Sequence, residues 1–248
     1  GPEPYYLTDV DQHVIRPHAL GKFRDLLEAV SQSPAMLFYL DNARSMADSA
    51  RPTLSPQNGG GIRVVPMRRG IFGAMRAAQQ MQRQQQQQQQ QKRQRQGVNA
   101  NYGRELRELH TLGVDGGYTQ QDVINVARAF TGWTIKPPAQ GGGFIFRPQV
   151  HDAGEKVVLG HKLAAVRGME DAEDVLDILA RSPATAHFIS FKLARRFVND
   201  SPSKALVDHA AQVYLKTDGD SRQLVRAIIT TPELFPQPAL PSNVKPRL

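Results

Sequence analysis

Apolar residues recur at the spacing of an amphipathic helix along most of this chain, and this pattern limits its fold more than any other feature. Val123, Val126, Ala127 and Phe130 occupy positions i, i+3, i+4 and i+7, which form one face of an α-helix. Similar stripes occur at 23–30, 102–109, 172–179, 206–213 and 224–229. We therefore predict a mainly α fold, a multi-helix orthogonal bundle.

Three Ser-Pro pairs mark expected helix starts, because the serine oxygen can cap the helix and proline has a helical φ. They are Ser33-Pro34, Ser182-Pro183 and Ser201-Pro202. The helix after Ser182-Pro183 carries large apolar residues on several sides. We expect it to lie at the centre of the core.

Strand-like sequence is short. Residues 144–146 and 156–159 are rich in Phe, Ile and Val, and Gly154 lies between them. We predict that these segments pair as one small β-hairpin with its turn through Gly154.

A low-complexity segment carries the excess positive charge. The formal net charge is +8, but ten of the 31 basic residues and none of the 23 acidic ones lie between Ser49 and Arg104. The remainder has 21 basic and 23 acidic residues and is nearly neutral. The segment includes eight consecutive glutamines, from Gln84 to Gln91, and a tract of this kind buries too little apolar surface to offset its ordering entropy.

These features give a domain plan. We predict one helical domain formed by residues 1–48 and 98–236, a Gln/Arg-rich low-complexity insertion at 49–97 and an extended Pro-rich tail at 237–248. Within the insertion Ile71, Met75 and Ala78 have helical spacing, so a single solvated helix is compatible with it. We interpret the insertion as a solvated surface segment; a nucleic-acid-binding arm and a coiled partner helix are the alternatives.

Composition excludes several classes of protein. The chain has no cysteine, which excludes disulfide frameworks and thiolate metal sites, and no apolar run of transmembrane length. The nearly neutral helical part argues against a nucleic-acid-binding fold. No nucleophile-elbow or phosphate-loop motif is present, and we predict no cofactor.

Two places resemble metal sites. Asp115 and Asp122 are candidate ligands in a calcium-like loop, but Thr111 and Gly113 fall where the first two carboxylates should be. We therefore predict a tight turn there and no metal. His110 has no histidine or carboxylate at i−3 or i−4 and is interpreted as a helix C-terminal cap.

One group of side chains could carry catalysis. His151-Asp152 forms an adjacent pair in a turn, which we interpret first as an aspartate bonded to its own turn backbone. If that turn folds over the helix near 105, a general acid, a general base and an anion-binding side chain would share one cleft. The candidate catalytic residues are Arg104, Glu105, Glu108, His110, His151 and Asp152.

Several motifs in order resemble the bacterial family called domain of unknown function 1800. They include 14–21 (VIRPHALG), 101–106 (NYGREL), 108–119 (ELHTLGVDGGYT), 131–134 (TGWT), 182–186 (SPATA), 192–198 (KLARRFV) and 217–220 (TDGD). The match spans nearly everything except the insertion and the tail. This chain differs at Gly103 and Arg107, where the family usually has Ala and Leu, and Arg107 suggests that this helix face is exposed.

The resemblance implies a bacterial, mainly helical and often exported protein whose gene commonly lies beside one for a sulfatase-like family. It implies an extracytoplasmic location and no established reaction. Because family members are longer at both ends, we expect this chain to be a fragment of the family domain.

Three functions remain open. The leading hypothesis is a binding or scaffold domain of the cell envelope, with the sulfatase-like neighbour protein as candidate partner. The alternative is a hydrolase-like enzyme using the Arg/Glu/His/Asp group. The third is nucleic-acid binding through the basic insertion. The sequence leaves the oligomeric state open.

Overall fold

The described residues of the computed structural model are 9–54 and 97–234. Predictions about the Gln/Arg-rich segment beyond Leu54 and about the Pro-rich tail fall outside these residues. Within them the fold is mainly helical with two small antiparallel sheets, which confirms the predicted class. None of the described helices is both long and apolar enough to cross a bilayer.

The helices and strands follow in chain order. A π-helical segment at Val10–Ile15 and one α-helical turn at Arg16–His18 come first. The longer elements are α1 (Phe23–Gln32), α2 (Pro34–Tyr39), α3 (Ala100–Glu108), α4 (Gln120–Ala129), β1 (Trp133–Ile135), β2 (Phe144–Phe146), β3 (Lys156–Val158), β4 (His161–Leu163), α5 (Glu170–Ala180), α6 (Pro183–Phe197), α7 (Lys204–Lys216) and α8 (Ser221–Ile229).

The chain divides into two compact units. Unit 1 takes the described parts of Gly1–Ala35, Arg104–Thr119 and Glu173–Leu248. Unit 2 takes the described parts of Met36–Gly103 and Gln120–Ala172.

Unit 1 is organised around Tyr214 on α7. Its ring packs edge-on against Phe23 with the centroids 5.9 Å apart, and its hydroxyl donates to the carbonyl of Ala180 at 2.7 Å. Side-chain oxygens cap α6, α7 and α8 from Ser182, Ser203 and Asp220. The prediction that Ser201-Pro202 starts a helix was wrong by two residues, because Ser203 supplies the cap.

The packing of α6 differs from the prediction of a central core helix. Its buried residues include Ala186, Ser190 and Ala194, whereas Phe191 and Phe197 are exposed. Small residues four apart line the side that faces its neighbours, and α6 packs closely on α7 and α8. The apolar residues on several sides of α6 therefore include aromatic rings that are exposed to solvent, and they do not indicate a central core helix.

Unit 2 contains a chain of aromatic rings. Tyr102, Phe130, Trp133 and Phe144 contact one another in that order, with ring centroids 5.2, 4.9 and 4.9 Å apart. Trp133 is fully buried, so the tryptophan has a packing role, as predicted.

The two sheets correct the predicted hairpin. Strand β2 pairs with β1, with Trp133 opposite Phe146, and β3 pairs with β4, with Val158 opposite His161. Leu159 and Gly160 have φ of 49° and 80°, which is the geometry of a two-residue hairpin turn. The expected turn through Gly154 was wrong because β2 and β3 do not pair with each other, and Leu159, which we predicted as strand, belongs to the β3–β4 turn.

Candidate functional site: a buried ionic cluster

Five charged or titratable side chains meet in the interior of unit 2. They come from α4, the turn before β3, β3 itself and the first turn of α5, and each is at most 5% exposed. They are Arg128, His151, Asp152, Lys156 and Asp171. We call this set the ionic cluster.

Asp152 and Arg128 form a bidentate ion pair. The guanidinium donates from Nε to Oδ2 at 2.7 Å and from Nη2 to Oδ1 at 3.0 Å. The amide of Gly154 donates to Oδ1 at 2.9 Å, which confirms the predicted bond of this aspartate to its own turn. Burial alone would raise the pKa of Asp152, but these hydrogen bonds lower it below its ordinary value.

The residues just before 55 contact Asp152 and its neighbour Ala153. Arg51 Nε lies 3.6 Å from Asp152 Oδ2, and Thr53 forms an antiparallel bridge with Asp152. The amide of Ala153 donates to the carbonyl of Pro52 at 2.9 Å. This part of the predicted insertion is therefore packed against the cluster.

Lys156 has an acceptor for each of its three ammonium hydrogens. Nζ lies 2.5 Å from the carbonyl of Asp152, 2.9 Å from that of Gly154 and 2.6 Å from Asp171 Oδ2. Burial lowers the pKa of Lys156, and the attraction of Asp171 and Asp152 offsets only part of this.

Asp171 accepts from both Lys156 and His151. Burial alone would raise the pKa of Asp171, but the hydrogen bonds from these two residues lower it. Arg167 Nε approaches its other oxygen at 3.8 Å. Asp171 lies in the first turn of α5 and is fully buried.

His151 faces an acceptor on each ring nitrogen. Nδ1 lies 2.8 Å from the carbonyl of Thr131, and Nε2 lies 3.2 Å from Asp171 Oδ2. The Thr131 hydroxyl donates to the carbonyl of Arg128, so its hydrogen is not available to the His151 ring. Both ring nitrogens therefore lie within hydrogen-bond distance of an oxygen acceptor.

The cluster is closed to substrates in this structure. His151, Asp152 and Asp171 have no exposed surface, and both ring nitrogens of His151 are engaged. Buried charges of this kind fix which segments meet, because the loss of one partner leaves the other charge unpaired. The cluster joins four segments of unit 2.

Sequence reasoning missed Arg128, Lys156 and Asp171. A usable signal existed for Lys156, since side chains alternate along a strand and Val158, two residues on, is a core residue. Arg128 and Asp171 gave no comparable signal, because each also fits a solvated position on a helix.

The other four candidate residues, Arg104, Glu105, Glu108 and His110, lie in unit 1. Glu108 accepts from the Tyr118 hydroxyl at 3.0 Å and lies 4.0 Å from Arg104 Nε. Burial, and then this hydrogen bond, raise the pKa of Tyr118. His110 Nδ1 donates to the carbonyl of Glu105 at 2.9 Å, which confirms the predicted cap.

The candidate group is thus divided, since His151 and Asp152 belong to unit 2. Its convergence in one cleft and its catalytic role stay predictions.

Arg107 contradicts the expectation of an exposed helix face. It is fully buried, and its guanidinium carbon lies 4.2 Å from the centre of the Tyr118 ring. A planar guanidinium stacks well on an aromatic face, which allows an arginine to replace an apolar residue there.

The calcium-like loop folds as turns. Gly113 and Gly117 have φ of 79° and 73°, the conformation that favours glycine. Asp115 is exposed, and Asp122 Oδ1 accepts from the amide of Leu159 at 2.8 Å. Residues 9–54 and 97–234 contain no group of three or more His, Asp or Glu side chains placed to hold a metal ion.

Fold and cluster together define a class: a mainly α protein with two small antiparallel sheets and a closed ionic cluster. Residues 2–246 match the family model described as Protein of unknown function (DUF1800). The chain belongs to this family, which confirms the resemblance found in its motifs. No curated protein and no solved structure matches the chain.

Proposed function

We propose that this chain is a binding domain that docks a partner protein through a surface of unit 1, in the envelope of a bacterial cell. The observation that carries the proposal is a set of exposed apolar side chains on this unit. Leu109, Val114 and Phe191 are 54%, 72% and 36% exposed. Exposed apolar groups that share one surface are typical of protein interaction sites.

Contacts support a common surface for these residues. Lys192 Nζ donates to the carbonyl of Leu109 at 3.2 Å, so the start of the loop lies against α6. A Cβ on Gly113 would lie 2.7 Å from the Phe188 ring, so the residue before Val114 lies against the same helix. Phe188, Phe191 and Lys192 are three and four residues apart and therefore share one helix face.

We define the α6–loop face as Leu109, Val114, Phe188, Phe191, Lys192 and Arg195. Its apolar members would supply the buried centre of an interface and its charged members the rim. The exposure of this face supports a binding role, whereas the titratable side chains of the ionic cluster are enclosed in unit 2.

The candidate partner is the sulfatase-like gene product that the family resemblance leads us to expect beside the gene for this chain. The test is isothermal titration of that product with wild-type chain and with Phe191→Ser, and Phe197→Ser is the matched control. Phe197 is on the same helix, is 45% exposed and lies about 120° around the helix axis from Phe191.

We expect a micromolar or tighter complex that Phe191→Ser weakens at least ~10-fold, while Phe197→Ser has little effect. Absence of a complex at micromolar concentrations would contradict the proposed partner. A complex that is equally sensitive to both variants would contradict the proposed surface.

A further inference from the structure

The α6–loop face has a positive border. Lys192 and Arg195 of this face and the adjacent Arg196 are all exposed and occupy the last two turns of α6. Among the described residues no carboxylate lies within ion-pair distance of Lys192 or Arg196, and Arg195 has only Asp200, at 3.9 Å. Because Asp200 is 95% exposed, this pair leaves the charge of Arg195 largely available.

Charged and apolar groups are interleaved on this face. The Lys192 ammonium lies 5.0 Å from the centre of the Phe188 ring while it donates to the carbonyl of Leu109. Two acidic side chains adjoin the face in sequence, the exposed Asp115 after Val114 and the partly exposed Glu108 before Leu109. The face therefore offers apolar contacts at its centre and an excess of positive charge at the C-terminal end of α6.

We infer that the α6–loop face binds an acidic segment of the partner protein, one with apolar side chains on the side that meets Leu109, Val114 and Phe191. The inference rests on the proposed binding function and adds the chemistry of the partner. Carboxylates would pair with Lys192, Arg195 and Arg196, and this complementarity gives specificity and speeds association.

A protein segment fits this face better than an anionic membrane does. Interfacial helices need a long, continuous apolar side that inserts among the lipids. The exposed side of α6 instead alternates Phe191 with Lys192 and Arg195, and Phe188 is only partly exposed. A short segment with a few apolar side chains can cover this area.

The experiment selects from a displayed library of random 16-residue peptides with the full-length chain as bait. We expect the enriched peptides to carry a net negative charge and regularly spaced apolar residues. Synthetic copies should bind wild-type chain, and raising NaCl from 50 to 500 mM should weaken the Kd several-fold. The charge reversal Lys192→Glu/Arg196→Glu should weaken binding at least ~10-fold.

A matched control is Lys216→Glu/Arg222→Glu, which makes the same charge change on exposed residues of α7 and α8. It should leave peptide binding within about twofold of wild type. Circular dichroism and thermal melts of both double variants check that the fold is retained.

Enriched peptides without an acidic excess, failure to enrich any peptide, or equal loss in both double variants would overturn the inference. Co-sedimentation with vesicles of phosphatidylglycerol and phosphatidylcholine tests the membrane alternative. Vesicle binding that the Lys192→Glu/Arg196→Glu variant abolishes, without peptide binding, would also overturn it.

The two proposals can fail separately. If Phe191→Ser weakens the natural complex but the charge reversal does not, the acidic segment is wrong and the binding surface stands. If acidic peptides bind but the sulfatase-like product does not, the chemistry stands and the named partner is wrong.

Discussion

At the scale of single residues, the ionic cluster sets the energetics of unit 2. Asp171 accepts from Lys156 and His151, both fully or almost fully buried. Removing one member of a buried ionic group lowers the free energy of unfolding more than removing a surface ion pair does, because the remaining charges stay desolvated. The only tryptophan of the chain, Trp133, is buried in the same unit and reports on its unfolding.

The first prediction compares Asp171→Asn with Glu155→Gln. We expect Asp171→Asn to lower the free energy of unfolding by ~3–5 kcal/mol, because Lys156 and His151 lose their shared carboxylate. Glu155 pairs with Lys162 at the surface at 2.8 Å, so Glu155→Gln should cost less than ~1 kcal/mol. Urea unfolding followed by Trp133 fluorescence measures both, and similar losses would show that the cluster has no special role.

The second prediction concerns acid. The pKa values of Asp152 and Asp171 are lowered in the folded chain, so the unfolded chain binds more protons as the pH falls. Their stabilisation is complete above the unfolded pKa, about 3.9, and is lost as the pH falls through the folded values.

We expect the urea midpoint of unit 2 to fall steeply below about pH 4 in wild type and less steeply in Asp171→Asn. Trp133 fluorescence at several pH values checks this. Parallel pH profiles for the two proteins would contradict the assigned role of Asp171.

At the scale of elements, close approach of two helices in unit 2 depends on a missing side chain. A Cβ on Gly103 of α3 would lie 2.8 Å from the carbonyl oxygen of Val123 and 2.9 Å from the amide nitrogen of Ala127, both on α4. These are backbone atoms, which cannot rotate away. Gly103 therefore sets the spacing of this helix pair.

The third prediction is that Gly103→Ala destabilises unit 2. Alanine in a helix normally gains about 1 kcal/mol over glycine, but the forced separation of α3 and α4 should cost ~1–3 kcal/mol. Gly143→Ala is the control, since a Cβ there meets nothing within 4 Å. Thermal melts of the two variants should show a lower Tm for Gly103→Ala alone. An unchanged or higher Tm for Gly103→Ala would mean that α3 and α4 separate without a loss of stability.

Helical periodicity predicted the helices well and their environments less well. The spacing of Val123, Val126, Ala127 and Phe130 identified α4 and its buried face. The same reasoning misplaced α6, because apolar content does not tell a core helix from one that presents rings to solvent. Strand pairing failed because three-residue strands carry little pattern, and Leu159 adopts a positive φ that no residue preference indicates.

Local sequence patterns also identified only some residues of the ionic cluster. His151 and Asp152 formed a recognisable adjacent pair, and both belong to the cluster. Arg128, Lys156 and Asp171 reach them from other elements, and such contacts depend on tertiary structure that local patterns do not encode. A buried arginine such as Arg107 is likewise indistinguishable by sequence from a solvated one until its stacking partner is known.

At the scale of the whole molecule, the ionic cluster of unit 2 and the α6–loop face of unit 1 have different roles in our proposal. Unit 2 keeps charged groups inside, where they fix the positions of its segments. Unit 1 has a core around Tyr214 and exposes apolar and basic groups on the α6–loop face. We assign structural integrity to the ionic cluster and partner binding to the α6–loop face.

Hydrogen–deuterium exchange of the full chain with and without the sulfatase-like product tests that assignment most directly. We predict that the complex slows exchange at 109–114 and 187–196 and leaves 151–158 unchanged. Protection confined to 151–158, or no protection at 109–114 and 187–196 in a complex that forms, would contradict the account.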